Sequence, residues 1–402
     1  MLAVTSILGA FLVNDVYLQQ PRKLSSYGYY ASLMFSCLLP FAILYRILLA
    51  PRFSKLRGIP TAPQPPLTQR LLQEPNSEDF LRWIEEVPND GLLRYFGAFN
   101  GERILVTTTE GTKIIHEGDT RDFRRPPAAK AILCRLTGGG IFAAEGTEHA
   151  AQRKEMQPAF KFRHLKDLYP TFWAKTTELV KSLDDWCAGS PKTVEIDDWV
   201  SRGTLDAIAL AGFGMDFNAI AEPRSELVTK YRTAFLPGKS AARIRILANI
   251  MPIKILFSLP MKRNRDAKAC IQTVRAAIRH HVKQRQVERM DEKKTHNDLL
   301  SVLMQSPKFT QTDDVVSQCM AFLAAGHEAS ALALGWTLLE LSKNPETQRK
   351  LRDEIRANLP SPGSGESITA DQVDHLPYLE AVVKESLRFW VRMPERRVRD
   401  IG

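Results

Sequence analysis

The stretch AGHEAS at residues 325–330 lies within a long apolar pattern with helical periodicity that covers residues 313–343. Gly326 has no side chain, so a flat ligand could approach the backbone of the predicted helix closely at this point. Glu328 is an acid on an otherwise apolar helix, where burial of a carboxylate costs free energy unless it has a partner or a function. The stretch predicts a ligand-binding helix, although by itself it also fits a simple crossing point between two helices.

Two further segments add to this pattern. The run LPYLEAVVKESLR at residues 376–388 places Glu385 and Arg388 three positions apart, so the two side chains share a helical face and can form a charge-assisted pair. In the segment GTEHAAQRKEMQPAF at residues 146–160, His149 and Arg153 stand four apart, again on one face. A bare Glu-x-x-Arg occurs by chance in most proteins, but the surrounding run at residues 376–388 makes this occurrence specific.

Together these segments resemble the cytochrome P-450 family, the haem-thiolate monooxygenases, and the resemblance runs from about residue 56 to residue 400. It implies a haem cofactor, proton delivery by Glu328 and Ser330, and a structural brace formed by Glu385 and Arg388 in the protein interior. The cofactor-binding residues that it implies are His149, Arg153, Gly326 and Arg397.

The chain departs from the family pattern in two places. Ala329 stands where the family has threonine, and Ser330 cannot take over its hydroxyl because adjacent helical positions differ by about 100°. The glycine-rich loop that supplies the iron-ligating cysteine does not occur before Gly402, so the resemblance implies a chain truncated before that loop. No metal ligand is predicted, because none of the cysteines lies in such a loop: Cys37, Cys134, Cys187, Cys270 and Cys319.

The composition narrows the class of protein. With 44% hydrophobic and 25% charged residues the 402-residue chain is globular rather than disordered. The formal charge of +10 suits an acidic partner or an anionic membrane, and the absence of zinc-finger spacing and basic-aromatic repeats argues against nucleic acid. The scattered cysteines favour a reducing compartment.

The N-terminal region predicts a membrane anchor. Residues 29–50 are apolar over the length that a spanning helix requires, and Arg52, Lys55 and Arg57 place the following domain on the cytosolic side. The alternative is a buried core helix. Residues 1–13 are also apolar but short, so they could form a second span, a re-entrant piece or a mobile end. The predicted organisation is an anchor at residues 1–55, a stiff proline-rich hinge at 56–66 and a P-450-like domain at 67–402.

The remaining pattern predicts a mainly α fold with a small N-terminal β-sheet. Alternation of residue types over residues 91–109, with Asn100-Gly101 in the middle, predicts a β-hairpin. Helical periodicity dominates afterwards, notably over residues 165–186, 271–290 and 345–358.

Two surface features each allow two interpretations. A basic face formed by Lys154, Lys161, Arg163 and Lys166 suits an acidic reductase domain, or it is simply solvated. Residues 244–261 are apolar with cations at both ends, which fits a membrane interface near the substrate entrance and equally fits a buried core segment.

The resemblance is greatest to fungal microsomal members. It implies haem-dependent oxidation of a lipophilic small molecule in secondary metabolism, with electrons from an NADPH-dependent reductase, at the endoplasmic reticulum membrane. The alternative is a catalytically inactive remnant or a membrane-anchored scaffold of the same fold, because the cysteine loop is missing and Ala329 replaces threonine. An unrelated helical membrane protein would need three motifs to coincide in the right order, so we set it aside.

Overall fold

The computed structural model describes residue 38, residue 41 and residues 44–117, 123–189, 193–235, 253–290 and 298–390. The chain divides into two compact units, one formed by Met1–Gly118 with Ser240–Leu256 and the other by Asp119–Lys239 with Phe257–Gly402. Each unit has its own hydrophobic core.

The first unit contains the sheet. Its helices and strands are α1 (Leu67–Leu72), α2 (Ser77–Glu86), β1 (Leu92–Gly97), β2 (Gly101–Val106) and α3 (Thr109–Glu117). Helix α2 begins with a capping box, in which the side chains of Asn76 and Asp79 each accept a hydrogen bond from the other residue's backbone amide. Trp83 of α2 packs with Leu93 and Tyr95 of β1, and this small core joins the helix to the sheet.

The predicted hairpin is confirmed. Strands β1 and β2 pair antiparallel, with Gly97 opposite Gly101. The turn between the strands lies one residue earlier than the Asn100-Gly101 pair predicts. Its two residues with positive φ are Phe99 (57°) and Asn100 (55°), and Gly101 is already the first residue of β2. Asn100 is a residue that tolerates this conformation, and its side chain fixes the turn by hydrogen bonds with the Ile47 carbonyl and with Arg70.

The proline-rich segment pairs with the sheet. The amide of Ala62 donates to the carbonyl of Arg94 at 2.8 Å, and the amide of Arg94 donates to the carbonyl of Pro60 at 2.8 Å, which forms an isolated parallel bridge between Thr61 and Arg94. Proline has no amide proton, so the segment can contribute acceptors at Pro60 but not continue as a strand.

Most of the predicted anchor lies outside the described residues. From residue 45 onward the chain forms short helical pieces at Tyr45–Leu49, Ala50–Arg52 and Lys55–Gly58. Within the part of the chain that the structure describes, no helix combines the length and the apolar character needed to cross a bilayer.

The second unit is built from helices, which confirms the mainly α prediction. The helices from residue 127 onward are α4 (Pro127–Thr137), α5 (Gly146–Met156), α6 (Phe162–Lys166), α7 (Tyr169–Cys187), α8 (Ile196–Phe213), α9 (Glu226–Phe235), α10 (Ile253–Ser258), α11 (Lys262–Met290), α12 (Leu299–Gln305), α13 (Thr312–Lys343), α14 (Pro345–Asn358), α15 (Ala370–Asp374) and α16 (Pro377–Phe389). Residues 253–256 of α10 are counted with the first unit.

Helix periodicity located these elements well. Helix α14 has the predicted bounds, with Pro345 at its first position, where the missing amide proton has no intrahelical acceptor to lose. Helix α13 begins one residue before the prediction and ends with it. The predicted helix over residues 165–186 is instead the short α6 followed by α7, and the one over residues 271–290 begins earlier, at Lys262.

The core of the second unit surrounds the first half of α13. Val316, Met320 and Leu323 of α13 are at most 1% exposed, and they pack with Leu300 and Leu303 of α12. Helices α8, α9 and α11 complete this core. The chain thus buries residues 315–321 of α13 on every side, which helps to fix the position of the residues that follow.

The apolar segment at residues 244–261 lies partly outside the described residues. In α10, Ile253 and Leu256 are buried, whereas Ile255 is 51% exposed. The described part of this segment is therefore amphipathic, and both alternatives for it remain predictions.

Candidate functional site

Helix α13 carries the predicted site on its middle turns. Asp313 and Asp314 lie in its first turn and Lys343 in its last, and both signs complement the helix dipole. The helix is continuous over 32 residues, so rotation by 100° per residue determines which side chains share a face. Ala325, Ala329 and the exposed Leu332 fall on one face, and Glu328 falls at its edge.

Glu328 reaches the protein surface, and no ion pair joins it to another residue in the described ranges. Surrounding protein nevertheless withdraws enough water to raise the pKa of the Glu328 carboxyl above its ordinary value. A carboxyl group with a raised pKa can hold and release a proton closer to neutral pH than an ordinary glutamate. This property is compatible with the predicted proton relay.

His327, between Gly326 and Glu328, is a polar residue that the sequence analysis did not single out. Its side chain is 2% exposed, its Nε2 lies 2.8 Å from Oγ of Ser201 and its Nδ1 lies 3.4 Å from the hydroxyl of Tyr231. Burial, with a smaller contribution from the charge of Arg232, lowers the pKa of His327 to about 4. The ring is therefore neutral at physiological pH.

A sequence signal for this position exists. His327 stands four residues after Leu323 and four before Ala331, and both of these neighbours are buried. Helical spacing therefore places His327 in the middle of the buried face of α13, where a polar side chain requires hydrogen-bond partners.

Ser330 does not join Glu328. The two residues are separated by 200° around α13, and Ser330 is exposed on the other side of the helix. The role of Ser330 in a proton relay with Glu328 therefore stays a prediction that this helical geometry does not support, and Ala329 has no hydroxyl group.

Gly326 has a packing role in this structure. A Cβ atom at this position would lie 2.7 Å from Cγ1 of Ile208, so the glycine allows α8 to approach α13 closely. The side chain of Ile208 therefore occupies the space on the side of the backbone where a Cβ atom would lie. The approach of a flat ligand at Gly326 therefore stays a prediction for the other sides of the backbone.

Helix α5 carries the predicted propionate-binding residues. His149 is half-buried and Arg153 is exposed, and both lie on the described helix at the expected spacing. Gln152, a residue that the sequence did not single out, is buried between them and accepts a hydrogen bond of 3.0 Å from Nε2 of Gln318 on α13. The structure thus brings the helix of His149 and Arg153 beside the helix of Glu328.

Glu385 and Arg388 form the predicted pair on α16. The guanidinium group donates two hydrogen bonds to the carboxylate, at 2.7 and 2.6 Å, and this contact lowers the pKa of Glu385 and raises that of Arg388. The predicted interior location is wrong: the side chains are 63% and 68% exposed. The physical reason is that, among the described residues, none packs over this face of α16. Arg397, the expected third member, lies outside the described residues.

Apolar side chains are also exposed on α13 and α16, and we call this set the open apolar face. Its residues on the second half of α13 and on α16 are Leu332, Trp336, Leu339, Val383, Leu387 and Phe389. Trp336 stacks on Trp390, with ring centroids 3.8 Å apart, and this contact joins the two helices. Exposed apolar area of this kind is typical of a surface that another group covers.

The described residues fit a porphyrin in part. A haem is flat and apolar with carboxylates at one edge, so the open apolar face suits its rings, and the exposed cation Arg153 suits a propionate. The described cysteines do not suit the iron: Cys319 and Cys270 are buried, and burial raises the pKa of the Cys319 thiol so that it stays protonated. Cys134 and Cys187 are exposed on α4 and α7, and Cys37 lies outside the described residues.

The mainly helical fold, the acid on the long central helix and the Glu-x-x-Arg pair fit the class of helical haem proteins that the sequence resembles. The chain belongs to the cytochrome P-450 family, since the family model described as cytochrome P-450 matches residues 100–400. This match covers both α13 and α16, and therefore the whole candidate site.

Similar proteins include the cytochrome P-450 monooxygenase FSL4 of Gibberella zeae, which is 38% identical over 373 residues, 87% of this chain and 66% of the relative. The cytochrome P-450 monooxygenase sphH of Aspergillus fumigatus is 36% identical over 88% of this chain and 67% of the relative. The chain thus spans about two thirds of the length of these curated relatives. Among solved structures, the haem domain of cytochrome P-450DA matches with a TM-score of 0.65 at 21% identity, covering 83% of this chain and 70% of that one.

Proposed function

We propose that this chain forms the oxygen- and substrate-facing part of a haem-dependent monooxygenase that inserts one atom of dioxygen into a lipophilic small molecule in secondary metabolism. The observation that carries the proposal is Glu328, a carboxyl with a raised pKa at the edge of the open apolar face. An apolar surface would accept a lipophilic substrate, and a protonatable acid beside it would supply protons.

The roles of the chain's own residues follow from their positions. Arg153 would pair with a haem carboxylate, with His149 beside it on the same helical face. Glu328 would hold a proton on its carboxyl oxygen, and the open apolar face would exclude water from the substrate. The haem, when bound, supplies the activation of dioxygen.

The basic face would receive an NADPH-dependent reductase. Lys154, Lys161 and Arg163 are exposed, and Phe162 beside them is 68% exposed, which gives the apolar contact that a charged docking surface needs. Lys166 contributes less than predicted, because its ammonium group is already paired with Asp371 at 2.5 Å.

A scaffold function without catalysis is the second candidate. Two observations favour it: Ala329 has no hydroxyl beside Glu328, and no cysteine among the described residues suits an iron ligand. A scaffold would use the open apolar face to bind a partner instead of haem.

A chimera distinguishes the two functions. The chain alone, supplied with haem, is expected to lack the red-shifted carbon monoxide band of a thiolate-ligated haem. Joined to the C-terminal third of the Gibberella zeae relative, it is expected to show that band and to oxidise lipophilic compounds with NADPH and a reductase. In the chimera, Glu328→Gln should lower turnover by about 10²-fold or more, whereas the matched control Ser330→Ala should leave it nearly unchanged.

Two results would contradict this proposal. The thiolate band in the chain alone would mean that one of its own cysteines binds the iron. A folded chimera that does not take up haem would favour the scaffold.

The membrane location is a separate proposal, supported by the apolar residues 29–50 and the cations Arg52, Lys55 and Arg57. The full chain is expected to sediment with endoplasmic reticulum membranes, to resist extraction by alkaline carbonate and to expose residues beyond 60 to protease on the cytosolic side. As the matched control, a variant with three leucines of this segment changed to aspartate should be released by carbonate. Release of the unchanged chain, or protection of its domain from protease, would show that the anchor prediction is wrong.

A further inference from the structure

His327 connects three helices at the turn of α13 that carries Glu328. On one side its Nε2 lies 2.8 Å from Oγ of Ser201 on α8. On the other side its Nδ1 lies 3.4 Å from the hydroxyl of Tyr231 on α9, and that hydroxyl donates back to the carbonyl of Leu323 on α13 at 3.3 Å. Tyr231 is fully buried and His327 is 2% exposed, so water does not compete for these contacts.

The directions of these hydrogen bonds follow from the number of protons available. The Tyr231 hydroxyl has one proton, and the Leu323 carbonyl can only accept it. The hydroxyl oxygen then accepts from His327, so the proton of the neutral ring is on Nδ1, and Nε2 accepts from the hydroxyl of Ser201. In this tautomer every polar atom of the network is satisfied, as burial requires.

We propose that His327 is a positioning residue that fixes the rotation of α13 about its axis and thereby holds the carboxyl of Glu328 at the edge of the open apolar face. An imidazole bonded through both nitrogens to helices on two sides cannot turn without breaking one of the bonds. Glu328 follows by one residue, so its direction is set by the same turn.

The side chains of α13 next to Glu328 are small, so the network shares the restraint of this turn with the close approach of α8 at Gly326. Gly326, the residue before His327, contributes no side chain, and Ala329, the residue after Glu328, contributes only a methyl group. Large fully buried side chains of α13 end with Leu323 on the N-terminal side, and Leu332 on the C-terminal side is already 47% exposed. The polar network therefore acts together with the packing of Ile208 against Gly326 to restrain rotation at residues 324–330.

The inference deepens the proposed function, because it concerns the residue to which proton delivery is assigned. The hydrogen bonds of His327 and their effect on Glu328 do not depend on haem or on turnover. If the chimera were inactive, the network would still be measurable in the chain alone, so the two failures can be told apart.

The experiment measures the pKa of Glu328 by carbon NMR of the full chain with labelled glutamate carboxyls, with Glu328→Gln to identify the signal. In His327→Leu the pKa of Glu328 is expected to fall to its ordinary value, because the loosened turn lets the carboxyl gain water. Tyr231→Phe and Ser201→Ala each remove one hydroxyl with little change in shape, and each should give part of this fall. His327→Asn keeps a donor near the Nδ1 position and should retain more of the wild-type pKa than His327→Leu.

The matched control is Leu303→Ala. It removes a fully buried side chain from the same core without touching the network, so it destabilises the unit and should leave the pKa of Glu328 unchanged. The proposal is overturned if Leu303→Ala shifts this pKa as much as His327→Leu, or if none of the network variants shifts it. Nitrogen NMR of the imidazole that shows the proton on Nε2 in the wild-type chain would overturn it as well.

Discussion

Acidification from pH 7.5 to pH 4 is expected to cost this chain about 3 kcal/mol of unfolding free energy through His327 alone. The pKa of His327 is about 4 in the folded protein against 6.5 for an ordinary histidine, and each unit of difference is worth about 1.4 kcal/mol. Between these two values the unfolded chain binds a proton that the folded chain excludes, so stability falls as the pH falls. Above about pH 7.5 both states are neutral at this residue, and its contribution to stability no longer depends on pH.

The charges around the imidazole are consistent with the lowered pKa of His327. Tyr231 and Ser201 are neutral partners, while Arg232 on α9 is a cation that disfavours a second positive charge. Arg232 is itself paired with Asp198 at 2.6 Å, which weakens its influence but does not reverse it. Glu328 would attract a protonated ring, yet its own pKa is raised, so in the acidic range it loses its charge early.

The measurement is urea unfolding at several pH values for the wild-type chain and His327→Gln. The other seven histidines and the carboxylates titrate in both proteins, so the difference between the two curves isolates His327. His327→Gln should be the less stable protein at pH 7.5 and should lose less on acidification. Parallel curves for the two proteins would contradict a neutral, buried histidine at this position.

Asp298→Ala is expected to destabilise the second unit by about 3–5 kcal/mol, the usual effect of breaking a buried ion pair. The carboxylate of Asp298 accepts a hydrogen bond of 2.6 Å from Arg285, whose side chain is 6% exposed. It also caps α12 by accepting from the amide of Ser301 at 2.9 Å. Alanine removes both contacts and leaves a guanidinium group buried beside Gly214 without its anion.

Asp313→Ala is the matched control for this prediction. Asp313 pairs with Arg279 at 2.6 Å, but the two side chains are 62% and 37% exposed, so its loss should cost less than about 1 kcal/mol. Adding Arg285→Met to Asp298→Ala should restore much of the stability, since the unpaired charge is then removed. If Asp298→Ala and Asp313→Ala lose similar amounts of unfolding free energy in urea, burial does not strengthen the pair of Asp298 and Arg285.

Local sequence determined the elements of this protein and the contacts within them. The hairpin follows from alternating residue types around a turn, and α14 follows from its boundary proline and helical period, because both signals act over a few residues. The pair of Glu385 and Arg388 follows from spacing alone, since residues three apart on any helix are neighbours. The same motifs, read together, were sufficient to identify the family.

Tertiary structure decided which of these residues are buried and what they touch. Ser201 and His327 are 126 positions apart in the chain, and Gln152 and Gln318 are 166 apart, so no local pattern reports that they meet. Exposure of the Glu385 pair depends on what packs over α16, and the space beside Gly326 depends on Ile208 of another helix. Burial and hydrogen bonding between distant segments are properties of the packed core, whereas sequence periodicity records only which face each residue occupies.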